Sequence, residues 1–416
     1  MERNDRDIVV FTGCSHAMVH TYEMSIPIFV VIWLLEFDVT TATLGAVVTV
    51  GYALFGVGAL PGGVLADRFS SRTLIIAGLA GMGLSFLALS FAGGLLGIAV
   101  ALAGWGVAAS VYHPAALSLI STGVENRGTG FAYHGMAGNT GIALGPLASA
   151  LLLLVFDWQT VARLLVLPAV AVIGYAVTAE FDEMAAVSTD GGQTTAEDSQ
   201  TMSLADFLAD SRALFTAGFA LAMAVVMMNG LFYRGTLTFL PDVLGEFLPS
   251  LDSLIGLFQG SELAEEFDTA SYLYVALLMV GIGGQYAGGK LSDRIPPTLG
   301  LAGVFGTLVV IAAVFIPAAE AGIPTLLAVS ALLGFFLFAL QPLYQATIAE
   351  YSPADGRGLS YGYTYLVSFG IGALGASVAG VLLEAFSVFG TFLALAAFPA
   401  VGVAVSLVLY RWGGGE

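Results

Sequence analysis

The sequence predicts an all-α polytopic membrane protein, with twelve transmembrane helices arranged as two pseudo-symmetric six-helix bundles. Three observations carry that expectation. Of 416 residues, 58% are hydrophobic and only 10% are charged, against about 25% charged in a soluble domain. Apolar runs long enough to cross a bilayer, about 20 residues each, recur from end to end. Their approximate limits are 8–35, 42–66, 73–92, 95–121, 128–156, 159–181, 212–241, 270–290, 298–318, 324–349, 358–383 and 387–410. Such runs are too long for barrel strands, so they cross as helices. Finally, the chain repeats itself. GGVLADRF (62–69) ends the second span and GGKLSDRI (288–295) the eighth. RGTGFAYHGMAGNTGIALG from Arg127 and RGLSYGYTYLVSFGIGALG from Arg357 open the fifth and eleventh, at a constant offset of 230. His113-Pro114 in span four has its counterpart in Gln341-Pro342 of span ten.

The repeat sets the domain organisation: a six-helix half over 1–181, a polar linker over 182–211 and a second half over 212–416. FDEMAAVSTDGGQTTAEDSQT, acidic and without periodicity, reads as a flexible linker. Ser203, with Asp206 three residues on, is placed to cap the helix that follows. With the N-terminus inside, Arg3, Arg6, Arg68, Arg72, Arg127, Arg212, Lys290, Arg294, Arg357 and Arg411 all fall on the cytoplasmic side, as basic loop residues do. Arg163 and Arg234 lie within spans. Both termini are therefore expected in the cytoplasm, in a multi-pass protein of the cell membrane. The acidic outer segment 242–269 has room for a short surface helix.

Charge and cysteine usage exclude whole classes of function. A net charge of −18 with Lys290 as the one lysine argues against a nucleic-acid partner. Acid-rich, lysine-poor loops resemble an adaptation to high salt. The single Cys14 excludes a disulfide framework. No cleavable signal is expected, because the apolar run after MERNDRD outlasts a signal peptide. No P-loop, nucleophile elbow or metalloenzyme motif is present, so an enzyme is not expected, and neither is a cofactor.

One stretch of span one stands out energetically. His16, His20 and Glu23 recur at i, i+4 and i+7 and share one helical face, with Pro27 following at i+11. A charged group at the centre of a membrane helix costs about 3 kcal/mol on insertion scales, so this stripe faces a protein interior or a watery cavity. The remaining histidines, His113 and His134, also lie in spans.

The repeat, the loop GGVLADRFSSR (62–72) and the twelve-span count together resemble the major facilitator superfamily over essentially the whole chain. Ser70-Ser71 replace the Gly-Arg usual in that loop, and the second copy runs on into Ile295-Pro296-Pro297. YHPAALSLIS followed by RGTGFAYHGMAGNTGIALGPL is similar to the fosmidomycin-resistance-like branch. Gly141-x-x-x-Gly145-Pro146 matches the core of the drug-antiporter motif, with Ser149-Ala150 in place of its terminal glycines.

The resemblance implies secondary transport by alternating access, and the direction it favours is proton-coupled efflux of a small organic solute. An uptake symporter or uniporter for a metabolite or organic anion is the alternative, and a non-transporting receptor or structural membrane protein is the alternative from another class. The expected partners are a small-molecule substrate, protons and the lipid bilayer, around a monomer. The resemblance also implies that spans one, four, seven and ten line a central cavity. His16, His20, Glu23, His113, His134, Asn139, Arg234, Gln341, Tyr344 and Gln345 are the candidates for substrate or proton contact there, with Trp105 and Tyr112 behind them. Aligning TYEMS with FYRGT sets Glu23 against Arg234, which suggests an ion pair or an anion site. The same His/Glu set has metal-ligand types, but packing between helices or proton work is the expectation, and no metal is expected. Asp67, Arg68, Arg127, Asp293, Arg294 and Arg357 are expected at a cytoplasmic gate. Gly141, Gly145, Pro146, Gly284 and Gly288 are expected in close helix packing, either where the halves rock or inside one half.

Overall fold

A computed structural model describes residues 1–37, 39, 41–187, 204–248 and 269–413. Regular structure among them is helical. In order come α1 (Arg3–Glu36), α2 (Thr41–Arg68), α3 (Ser71–Leu89), α4 (Leu95–Ser110), α5 (Tyr112–Gly123), α6 (Arg127–Leu153), α7 (Trp158–Leu164), α8 (Val166–Thr178) and α9 (Leu204–Leu214). Then follow α10 (Ala217–Leu237), α11 (Leu240–Phe247), α12 (Thr269–Ser292), α13 (Pro297–Glu320), α14 (Ile323–Glu350), α15 (Arg357–Tyr365), α16 (Leu374–Ala385), α17 (Val388–Leu395) and α18 (Ala397–Gly413). Ten helical stretches among the described residues are long and apolar enough to cross a bilayer. The long helices α1 and α12 stand at the first and eighth expected spans. Large apolar side chains such as Leu96, Val155 and Phe91 are mostly exposed, as in a protein solvated by lipid.

Three spans expected to be continuous are broken, and each break has the same cause. Proline has no N–H to give the carbonyl four residues back. Pro114 leaves Ser110 as the last residue of α4, Pro168 leaves Leu164 as the last of α7, and Pro399 leaves Leu395 as the last of α17. Pro27, Pro61, Pro146, Pro317 and Pro342 are instead carried inside helices that continue through them. Span eleven is interrupted differently, by a π-helical segment Leu366–Ile371 in which Val367 O accepts from Gly372 N–H at 2.8 Å. Span seven is shorter than expected: α10 begins at Ala217, and α9 is a separate helix before it.

Contacts divide the chain into two units, 1–220 with 345–366 and 221–344 with 367–416. The end of α14 and all of α15 pack with the N-terminal helices. The expected linker also starts inside the first unit. Asp182 N–H donates to Asn4 Oδ1 at 2.7 Å, and the Glu183 carboxylate accepts from Ser70 Oγ–H at 2.6 Å and Ser71 N–H at 2.9 Å. Those serines, where the family loop has Gly-Arg, thus anchor the segment that follows α8. Residues 188–203 with the Ser203 cap, and most of the outer segment at 249–268, lie outside the described residues.

In the first unit, α1 lies along α6 because glycine permits it. A Cβ at Gly141 would overlap the Ala17 carbonyl, and one at Gly145 would press on Thr21. Aromatic rings fill the space beside them: Trp33 meets Trp158 edge-on at 5.6 Å, and Tyr22 packs on Phe86 at 4.4 Å. The second unit repeats the device. Gly284 abuts the Phe335 backbone and Gly288 that of Ala339, bringing α12 onto α14. All four glycines therefore serve packing within a unit.

Candidate functional site

The polar stripe of α1 closes on itself. The His20 Nδ1–H donates to Glu23 Oε2 at 2.6 Å, and His20 Nε2 lies 3.0 Å from His16 Nε2. His16 Nδ1–H donates to the His134 carbonyl at 2.8 Å, and His113 Nε2 stands 3.2 Å from His16 Nε2. Glu23, His16, His20, His113 and His134 are all buried. The acceptors fix the tautomers: with Nδ1–H given to a carbonyl, a neutral His16 has a lone pair at Nε2. With Nδ1–H given to a carboxylate, His20 has either a lone pair at Nε2 or the second proton of an imidazolium. The second proton of a His20 imidazolium then gives a donor to the His16 lone pair across the 3.0 Å between the two nitrogens.

Each histidine is placed by a local feature of the sequence. The i, i+4 spacing sets His16 above His20 on one face of α1. The Pro114 break opens α5 at Tyr112, so His113 stands in its first turn. Gly138 makes room on α6, since a Cβ there would fall onto the His16 ring. His134 stacks flat on the other face of that ring, with centroids 3.9 Å apart and planes at 11°. Tyr365 stacks on His113 at 4.3 Å, and Tyr112 O–H donates to the Thr12 carbonyl at 2.5 Å. Tyr52 O–H donates to the Glu23 backbone carbonyl at 3.0 Å, tying α2 to α1 at the carboxylate.

The other expected cavity residues fall in separate places. Asn139 is buried on α6, and its Nδ2 has no hydrogen-bond partner among the described residues. Trp105 is fully buried against the edge of Tyr52 at 5.5 Å. In the second unit, Gln341 Oε1 accepts from Gln285 Nε2–H at 2.6 Å, and Tyr344 is buried. Gln345, one turn on, belongs to the first unit, where its carbonyl accepts from Tyr361 O–H at 3.1 Å. Arg234 is half-buried in the last turn of α10, with its guanidinium 5.8 Å from the Tyr233 ring and 5.4 Å from that of Phe369. Sequence reasoning missed Gln285, Tyr52 and Tyr365. A lone amide inside an apolar span would have flagged Gln285, whereas a tyrosine among apolar residues gives no such signal.

Of the expected gate residues, Asp67 and Arg357 come together at one junction. Asp67 accepts from Gly358 N–H at 2.6 Å and Leu359 N–H at 2.7 Å. These are first-turn N–H groups of α15, which have no partner within their own helix. A carboxylate there also faces the positive end of the helix dipole. Gly63 and Gly358 allow the approach, since a Cβ on either would strike the other's carbonyl. Arg357, itself buried, donates from Nη1 to the Ser121 carbonyl of α5. Arg127 is half-buried at the start of α6. Arg68, Asp293 and Arg294 are exposed.

Two discontinuous helix bundles, a buried ionisable cluster and a capped helix junction describe a multi-pass membrane transporter fold. The profile of the Major Facilitator Superfamily matches residues 12–319 and 251–413, and the chain belongs to that family. Similar solved structures include the human organic anion transporter MFSD10 (TETRAN), at 15% identity and TM-score 0.69, covering 97% of this chain and 100% of that one. The Escherichia coli fucose:proton symporter FucP aligns at 16% identity and TM-score 0.64, over 98% of both chains. The proton:xylose symporter XylE, bound to 6-bromo-6-deoxy-D-glucose, aligns at 13% identity and TM-score 0.68, over 98% of this chain and 95% of that one. At these identities the likeness is one of fold. No curated protein matches the chain.

Proposed function

We propose that the protein is a secondary active transporter that exports a small organic solute against proton influx, by alternating access, in the manner of the fosmidomycin-resistance-like branch. The observation that carries this reading is the buried chain Glu23–His20–His16–His113. Ionisable side chains inside a membrane helix are costly and mark ion or proton pathways. A proton taken up by this chain makes His20 an imidazolium, held between the Glu23 carboxylate and the His16 lone pair. When the proton leaves, His113 Nε2–H becomes the donor to His16, and contacts between α1 and α5 change. That gives one cluster two hydrogen-bonding states, which is what coupling to a conformational equilibrium requires.

In the same reading the cell membrane holds the protein with both termini in the cytoplasm, and the Asp67–α15 junction is the closed inner gate. Arg234, set against the Tyr233 and Phe369 rings, favours an anionic solute. Reconstituted protein supplied with a panel of organic solutes tests the proposal. Solute movement should drive an opposite pH change across the vesicle, and Arg234→Gln should remove the preference for anions. Proton movement in the same direction as solute would overturn export in favour of symport.

A further inference from the structure

We infer that His16, His20 and His113 form a binding site for a divalent transition-metal ion of the zinc class. One ring nitrogen from each of these three buried histidines lies within 4.8 Å of the others. The pairwise separations around His16 Nε2, 3.0 Å to His20 and 3.2 Å to His113, are the telling ones. Tetrahedral zinc with Zn–N bonds of 2.0–2.1 Å holds its ligand nitrogens about 3.3 Å apart. Three imidazole nitrogens thus stand close to ligand spacing, on two helices of one unit.

The outer contacts of the rings fit the same ion. A metal-bound histidine gives its other ring N–H to a carboxylate or backbone carbonyl, which fixes its tautomer and raises its basicity. His20 Nδ1–H gives to the Glu23 carboxylate, and His16 Nδ1–H to the His134 carbonyl. Both assignments leave the lone pair at Nε2, facing the shared point. His113 Nδ1 is buried without a hydrogen-bond partner among the described residues, so nothing in its surroundings opposes the tautomer with a free Nε2. The flat stack of His134 on His16, and of Tyr365 on His113, holds the rings in these orientations. Gly138 supplies the space they need.

Imidazole donors select zinc, copper, nickel and cobalt over magnesium and calcium, which take oxygen ligands. Three protein ligands leave a fourth tetrahedral position open, for water or for a nitrogen or oxygen donor of a solute. The inference rests on reading this cluster as reached from water during the transport cycle, although metal binding itself needs no transport.

Cobalt is the probe, because its tetrahedral nitrogen complexes absorb in the visible and its octahedral aqua ion barely does. Purified full-length protein in detergent is titrated with Co2+, and then back-titrated with Zn2+. The expected result is one tetrahedral cobalt per chain, displaced by zinc and not by magnesium. His113→Gln and His20→Gln should each remove the tetrahedral band. Glu23→Gln should keep the band and weaken affinity by roughly 10–100-fold, the usual effect of losing an outer-contact partner. Absence of the band in the unmodified protein, or a band that survives His113→Gln, would overturn the site. Thermal unfolding should rise with zinc in the unmodified protein and stay flat in His113→Gln, so a folding defect in one variant cannot imitate the result. Proton-coupled flux in vesicles is measured on the same preparations. Flux without a cobalt band removes the metal site alone, and a cobalt band without flux upholds the metal site while removing the transport reading.

Discussion

The first helix of each repeat carries a different set of polar side chains. α1 buries two histidines and a glutamate, joined ring to ring and ring to carboxylate. α10 offers Asn229, Tyr233 and Arg234 over a similar stretch, with the guanidinium set against aromatic rings. A histidine–carboxylate chain has groups able to take up and release a proton, whereas a guanidinium stays charged throughout. The repeated helices thus carry different polar groups, an ionisable histidine–carboxylate chain on α1 and a guanidinium on α10. In the proposed reading, proton exchange belongs to the first unit and fixed charge recognition to the second.

The strongest way to break this comparison is Glu23→Gln. It takes the acceptor from His20 Nδ1–H and leaves any imidazolium buried without its counter-charge. Breaking a buried pair from one side costs roughly 3–5 kcal/mol, so His20 should stay neutral. Proton-driven transport should fall by about tenfold or more, while exchange of labelled solute across the vesicle, which needs no net proton movement, continues. If proton-driven flux kept its pH dependence in this variant, the first unit would not be the switchable one.

Gly138→Ala comes next. Its Cβ would fall onto the His16 ring, and overpacking of this kind costs about 1–3 kcal/mol. Gly303 of the second unit faces open space, so Gly303→Ala should be neutral or stabilising by up to about 1 kcal/mol. Thermal unfolding of both variants in one detergent measures the contrast. Equal shifts would mean that Gly138 is not holding space for the imidazole.

Asp67→Ala tests the junction rather than the cluster. Removing the carboxylate exposes two N–H groups at the start of α15, a cap loss worth about 1 kcal/mol. Turnover should drop more than solute affinity, and Asp67→Asn, which keeps one acceptor, should fall between. An equal loss of both quantities would make Asp67 part of the binding site instead.

Much of this is legible in the sequence. The His16/His20/Glu23 stripe announces itself because such residues are expensive in an apolar span, and helical spacing puts them on one face. His113-Pro114 announced a special position, and the break there follows from proline's missing N–H. What spacing could not give was the meeting of α1 and α5 at one nitrogen, which depends on the tertiary approach that Gly138, Gly141 and Gly145 allow. The capping of α15 by Asp67 was hidden for a similar reason: an aspartate at a loop signature looks the same whether it meets an arginine or backbone N–H groups. The division of contacts was hidden most completely. Repeats in sequence say which helices are alike, and a cap or a glycine contact decides which of them pack together.

The smallest effect separates structure from function in the second unit. Gln285 and Gln341 share one neutral hydrogen bond at 2.6 Å, the sort of contact worth about 1 kcal/mol net. Gln285→Leu alone should cost about 1 kcal/mol, because it leaves the half-buried Gln341 amide without that partner. Replacing both by leucine removes donor and acceptor together, so the double variant should return close to the original stability. Transport then decides what the amides are for. If they only hold α12 to α14, the double variant transports normally once its stability has recovered. If Gln341 also meets the solute, flux stays low in a protein as stable as the original, and the fixed half of the comparison gains an uncharged contact beside Arg234.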